Sequence, residues 1–281
     1  MASDTLQPGS TTLDVLTCAQ GLGLDRLDAQ LLLGHVLQRS RAWLLAHDRD
    51  PLPPDAMAPL SALLQRRAEG EPLAYLVGDQ EFHGLNLQVN PAVLIPRPDT
   101  ETLVAWALET LPPEAEHRVL DLGTGSGAIA LALADQRPKA RIHAVDASAE
   151  ALAVAKGNAE RLGLQVQFAL GSWFGPVTGQ RFELVISNPP YIAEGDEHLP
   201  ALRFEPKQAL TSGPDGLDDI RLIVGHAPAH LAAGGWLLLE HGWDQHEAVA
   251  QLLREQGFQK AGCRQDLGGQ WRCTGGQWPG A

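Results

Sequence analysis

The chain has 281 residues, 44% hydrophobic and 20% charged, a balance that fits a globular fold with room for one large domain beside a small one. Its 34 acidic and 21 basic side chains leave a net charge of −13. That charge counts against a nucleic acid as the direct partner, because binding to a phosphate backbone runs on Lys and Arg.

From the start of the chain, Met1–Thr5 is polar and shows no basic or apolar leader pattern. No apolar run reaches membrane-spanning length, so no membrane partner is expected. The odd set Cys18, Cys263 and Cys273 argues against a disulfide framework, and a cytoplasmic setting is the expectation. Over 1–75, Leu27, Leu31, Leu32, Val36 and Leu37 recur at helical spacing, as do Met57, Leu60, Leu63 and Leu64 after the Pro51–Pro54 break. This predicts a small helical bundle, serving either to dock a partner or to stabilise the rest. Over 76–96, Glu81–His83 and Leu85–Val89 alternate apolar and polar residues around Gly84, which predicts a β-hairpin linker. Leu94–Glu101 then leads into a helix that Asp99 or Thr100 can cap, with Leu103, Val104, Ala107 and Leu108 as its apolar stripe.

Within the third predicted domain, 97–281, strand and helix alternate. Strands are expected at Arg118–Leu122, Arg141–Val145, Val166–Leu170, Phe182–Ser187 and Trp236–Glu240. Helices are expected at Ala128–Asp135, Ala149–Leu162, Leu217–Leu231 and Gln245–Gln256, and closing antiparallel strands from Gly257 onward. Alternation of this kind predicts an α/β fold, a parallel sheet with helices on both faces.

Four strand ends carry candidate chemistry. Val119–Gly127 runs from a strand through Asp121, Gly123, Thr124, Gly125, Ser126 and Gly127 into a helix. Its glycines let the backbone turn sharply and approach a ligand closely. The spacing is G-x-G-x-G rather than the G-x-G-x-x-G of a dinucleotide site, and resembles the S-adenosylmethionine loop of Rossmann-like methyltransferases. Asp146 closes the next strand, where a carboxylate can accept ribose hydroxyls or cap the following helix. Trp173 follows the third strand and can flank an adenine ring or fill the core.

Asn188-Pro189-Pro190-Tyr191 follows the fourth. Two prolines remove two N–H donors, and the residue before a proline is held extended, so Asn188 points out of the strand end among free acceptors. Such a cluster suits a planar –NH2 group. His226, His230, His241 and His246 complete no ligand set with Cys or acidic residues, so no metal is expected.

These residues resemble the peptide chain release factor glutamine N5-methyltransferases (the PrmC/HemK family). Glu71–Leu76, Leu94–Glu101, Ser187–Ile192 and Arg203–Pro206 carry the resemblance beyond the generic methyltransferase core. It implies a Rossmann-like class I fold, with a seven-stranded and mostly parallel sheet, beside an N-terminal helical domain that docks substrate. The implied reaction methylates the side-chain amide of the glutamine in the release factors' Gly-Gly-Gln loop. S-adenosylmethionine is the implied cofactor and S-adenosylhomocysteine the product. By position, Asp121, Gly123 to Gly127, Asp146, Trp173 and Asn188 would contact the cofactor. Asn188 to Tyr191 would hold the glutamine, with Asn188, Pro189 and Tyr191 catalytic. Ser172 departs from the family's usual acidic residue before this Trp. A glutamine of a ribosomal protein, or an exocyclic base amine, is the alternative acceptor. The chain's own Gly-Gly-Gln runs, Gly268–Gln270 and Gly275–Gln277, are expected in a turn of the closing hairpin.

Overall fold

The computed structural model describes residues 6–280, so the leader reading of Met1–Thr5 lies outside the described residues. The chain divides into two compact units, Met1–Gly78 and Asp79–Ala281. In the first, helices α1 (Thr12–Gly21), α2 (Arg26–Leu37), α3 (Arg41–Ala46), α4 (Met57–Ala68) and α5 (Leu73–Val77) surround a core of Val15, Leu32, Leu33, Leu44, Leu60 and Leu64. Thr11, Asp25 and Ser40 cap the first three helices by accepting from backbone N–H groups in the first turn. The stripe of α2 differs from the expected one. Ala29, Leu32 and Leu33 are buried at i, i+3 and i+4, while Leu27 lies on the opposite side and is 46% exposed. An ion pair from Asp28 to Arg67 of α4 (2.6 Å) is compatible with that rotation.

The second unit opens with β1 (Asp79–Phe82) and β2 (Leu85–Gln88), an antiparallel hairpin. Its two turn residues, His83 and Gly84, have φ of 50° and 79°, the primed geometry whose twist matches the strands. The segment expected as a linker is built into this unit. Buried Asn158 accepts from Gln88 N (2.7 Å) and donates to Gln88 O (2.9 Å).

Next come α6 (Thr100–Thr110), β3 (Arg118–Leu122), α7 (Ala128–Gln136), β4 (Arg141–Asp146), α8 (Ala149–Leu162), β5 (Gln167–Leu170) and β6 (Phe182–Ser187). The chain ends with α9 (Asp218–His230), β7 (Leu231–Glu240), α10 (His246–Glu255), β8 (Gln259–Gln265) and β9 (Trp271–Gln277). The sheet order is β5-β4-β3-β6-β7-β9-β8, parallel from β5 to β7 and antiparallel thereafter. Successive residues along the central strands alternate between two cores. Val119, Leu184, Ile186 and Leu238 join one with α6 and α7; Leu120, Leu122, Val185, Leu237 and Leu239 join the other with α9 and α10. Each leucine so buried stabilises the sheet by roughly 1.5–3 kcal/mol. Strand β7 starts at Leu231, ahead of the expected Trp236, because Leu231 already pairs with Phe182 of β6 before the register shifts to Leu184–Trp236.

Candidate active site

A cavity of about 710 Å³ opens at the carboxyl ends of β3 to β6, where the strand order reverses. The loop leaving β3 is tied to β4, since Gly123 N and Thr124 N donate to Val145 O at 2.8 and 3.0 Å. Gly127, at φ 85°, has no room for a side chain: a Cβ would sit 3.0 Å from Leu131 Cδ1 and 3.3 Å from Ala155 Cβ. Gly123, at φ 71°, lies against the Trp173 ring, 3.6 Å from where its own Cβ would be.

Asp146 accepts from Gly125 N (2.8 Å) through one oxygen and from Ser148 N (2.9 Å) through the other. Ser148, not Asp146, caps α8, by accepting from Ala151 N. The Asp146 carboxylate therefore shapes the loop and lines the cavity. Trp173 lines it too, at φ 44°, a left-handed conformation that a bulky residue holds only under constraint. The next residue, Phe174, enters the core and stacks on His230 (4.5 Å).

Thr124, Gly125, Ser126, Asn188 and Pro190 also line the cavity; Asp121, Gly127, Pro189 and Tyr191 do not. Asp121 is fully buried behind the loop, where the Thr124 hydroxyl donates to it at 2.6 Å. Burial, the dominant influence, pushes its carboxyl up to about 7.

The Asn188–Tyr191 tetrapeptide is anchored at both ends. Ser187 Oγ donates to Leu122 O of β3 (2.6 Å), and beyond the prolines Tyr191 N and Ile192 N donate to Leu210 O. Asn188 Nδ2 donates to Thr100 Oγ1 (3.2 Å), while Asn188 Oδ1 is buried with no hydrogen-bond partner among the described residues. A buried acceptor left unpaired costs about 1–3 kcal/mol, so one kept on a residue that lines the cavity is suited to a donor that arrives with a ligand.

Tyr191, expected to pack on the acceptor, packs instead on the core, its hydroxyl donating to Glu240 Oε1 at 3.4 Å. Burial, then the Glu240 charge, raises its phenol above the usual range. Glu240 closes β7 at 1% exposure, and burial pushes it up to about 7 against the pull of the Thr100 hydroxyl and Arg272.

At the rim, Arg97 pairs with buried Glu205, which also accepts from Ile95 N (3.1 Å). This joins two segments that contribute Pro96 and Gln208 to the cavity. Sequence reasoning missed Thr100, Glu240 and Glu205 as parts of the site. Glu205, Arg97 and Thr100 did lie in segments singled out, Thr100 as a helix cap, whereas a lone Glu at a strand end carries no pattern. Asp99 takes the N-cap position of α6, but its side chain makes no capping bond and reaches Arg272 (3.1 Å).

Among the described residues, no group of three or more His, Cys, Asp and Glu is placed to hold a metal, and no helix is long and apolar enough to cross a membrane. His246 stacks on Trp271 (5.2 Å), and His241 Nε2 meets Thr274 Oγ1 at 2.7 Å. Gly268–Gln270 forms the β8–β9 turn, where Asp266 N donates to Gln270 O (2.8 Å). Gly275–Gln277 is not in a turn but within β9, its glycines pressed against Leu238 and Phe258.

Residues 16–78 match the PrmC N-terminal domain family, and residues 100–211 the methyltransferase small domain family. The chain is 53% identical over 257 residues to a release factor glutamine methyltransferase of Bordetella pertussis, spanning 90% of this chain and 95% of that one. It is 47% identical to one of Burkholderia pseudomallei, over 99% of this chain and 100% of that one. A 16S rRNA methyltransferase of T. thermophilus, solved with AdoMet and guanosine, shares the fold at a TM-score of 0.55 and 21% identity, covering 71% of this chain and 49% of that one.

Proposed function

The chain belongs to the release factor glutamine methyltransferase family, and on that premise we propose that it methylates the side-chain amide nitrogen (N5) of the Gly-Gly-Gln glutamine in peptide chain release factors. The observation that carries this reading is Asn188, a residue that lines the cavity and whose buried Oδ1 has no hydrogen-bond partner among the described residues. A primary amide brings two N–H donors, and this cluster offers acceptors and, at two prolines, no competing donors.

The residues present fit S-adenosylmethionine. The Gly123–Gly127 loop provides close backbone approach, Asp146 a carboxylate for ribose hydroxyls, and Trp173 a ring for adenine, in a cavity of about 710 Å³. When bound, S-adenosylmethionine supplies a methyl group as an electrophilic sulfonium and leaves as S-adenosylhomocysteine. Asp121 belongs to the same site at one remove, by holding Thr124.

An amide nitrogen is a poor nucleophile because its lone pair is delocalised into the carbonyl. Asn188 Oδ1 accepts one amide hydrogen, holds the nitrogen flat and lends it electron density, and the carbonyl of Pro189, next in the chain though outside the residues that line the cavity, is the acceptor assigned to the other. Positioning of this kind contributes roughly 7–11 kcal/mol in favourable cases. Pro190 walls the acceptor pocket, and Tyr191 holds the far end of the tetrapeptide from within the core. No side-chain base has to act first, because the nitrogen becomes strongly acidic once alkylated and releases its proton to water.

The N-terminal helical unit, which matches the PrmC N-terminal domain family, is assigned to docking the release factor. The net charge of −13 and the location expected from the cysteines agree with a protein substrate in the cytoplasm. The test is transfer of labelled methyl from S-adenosylmethionine to a release factor, to its Gln→Ala loop variant and to nucleic acid. Label on the first alone is expected; label on nucleic acid alone overturns the reading.

A further inference from the structure

We propose that Thr100 and Glu240 are positioning residues for the methyl transfer, orienting the Asn188 side chain so that its oxygen, not its amino group, meets the acceptor amide. The inference rests on the reading of Asn188 as the amide clamp. An Asn amide turned by half a revolution keeps its shape and exchanges an acceptor for a donor. Hydrogen bonds therefore choose between the two orientations, where packing does not. In the wrong orientation, an –NH2 would face the substrate's –NH2, donor against donor.

The structure supplies the choice. Asn188 Nδ2 donates to Thr100 Oγ1 at 3.2 Å, which requires a hydroxyl lone pair turned toward Asn188. The single hydroxyl hydrogen of Thr100 must then go elsewhere. Glu240 is 1% exposed, its Oε2 is buried with no hydrogen-bond partner among the described residues, and the nearby Thr100 hydroxyl helps hold its carboxyl down, so it is there to take that hydrogen. An ionised carboxylate only accepts, so the chain of bonds runs one way, from Asn188 through Thr100 to Glu240, and leaves Asn188 Oδ1 free. Thr100 is itself only 4% exposed, which leaves water little access to its hydroxyl.

Protonation of Glu240 reverses the chain. A carboxylic acid donates to Thr100, which turns its hydrogen on Asn188 and favours the unproductive orientation. The groups facing Glu240 are the Tyr191 phenol, Arg272 of β9, Asp99 before α6 and the Cys273 thiol. Arg272 favours the ionised form, while Asp99 opposes it.

The experiment compares Thr100→Val, Thr100→Ser, Glu240→Gln and Asn188→Ala in the full-length protein with an intact release factor. The readouts are kcat, KM for S-adenosylmethionine, thermal midpoint and the pH profile of kcat. Thr100→Val keeps the shape and removes the hydroxyl. Its kcat is expected to fall about tenfold with KM for the cofactor unchanged, and Thr100→Ser to recover most of the loss. Wild-type kcat in Thr100→Val, or a Thr100→Ser as slow as Thr100→Val, overturns the proposal. Should Thr100→Val fail to fold, Glu240→Gln decides. Loss of the rise in kcat with pH supports the proposal, and persistence of that rise overturns it. Asn188→Ala separates the two levels. An inactive Asn188→Ala beside a fully active Thr100→Val removes only the positioning role, whereas a fully active Asn188→Ala removes the clamp beneath it.

Discussion

The loops leaving β3 and β6 start from hydrogen-bonded neighbours in one sheet, yet they are made from opposite backbone chemistry. The first turns on Gly123, Gly125 and Gly127 at φ of 71°, 55° and 85°, and is set by its N–H groups, which reach Val145 and Asp146. The second has two prolines with no N–H to give and presents an unpaired oxygen of Asn188. Side by side they divide one cavity into a wall made by a donor-tied loop and a wall of acceptors. The division teaches that cofactor binding and acceptor alignment are separable, and substitutions should pull them apart.

The largest effect is expected on the proline side. Asn188→Ala should lower kcat by about 10²–10³, the range seen when one preorganised polar group is removed, with cofactor affinity little changed. Equal losses in turnover and in calorimetric binding would merge the two walls and break the comparison. On the glycine side, Asp146→Asn should weaken cofactor binding by about 10–100-fold, since it blunts a charge-assisted bond to Gly125 N, while kcat at saturating cofactor falls much less. Binding by titration calorimetry against single-turnover rates distinguishes these.

Gly127→Ala tests the loop as a fold element. A left-handed φ of 85° and a Cβ 3.0 Å from Leu131 should cost about 1–2 kcal/mol, read as a lowered thermal midpoint. The smallest effect is a pH dependence. Glu240 sits up at about 7 and is productive when ionised, so kcat should rise as pH climbs through that value, by about threefold over the pH unit centred there. Asp121 titrates in the same range, but it acts through Thr124 on the cofactor side, so measuring at saturating cofactor isolates Glu240.

Much of this arrangement was legible in the sequence because a parallel sheet places its strand ends together. Apolar runs marked β3 to β6, and the residues at their ends had to meet at one edge, which put Asp146, Trp173 and Asn188 around one cavity. Side-chain direction was less legible. Tyr191 was expected on the acceptor, yet the backbone beyond the prolines is held by Leu210 and the ring turns into the core. Asp121 was expected at the ligand, yet it faces the interior one strand residue before the loop begins. Leu27 read as core because leucines surround it, while burial of Ala29, Leu32 and Leu33 turns it to the opposite side.

The hairpin belongs to the second unit through Asn158, a helix residue that no periodicity distinguishes. Thr100 and Glu240 stayed hidden for a related reason. Thr100 reads as a helix cap and Glu240 as a strand end, and only the approach of the α6 start to the β7 end brings them to Asn188 and Tyr191.

The central claim, that the acceptor is one glutamine amide, is tested most directly by mapping the methyl group. An intact release factor is incubated with the protein and S-adenosylmethionine, digested, and sequenced by tandem mass spectrometry. The account predicts a single methyl on the side-chain nitrogen of the Gly-Gly-Gln glutamine, absent when Asn188→Ala replaces the wild-type protein. A methyl on any other residue, or an unmodified release factor alongside methylated nucleic acid, would contradict it.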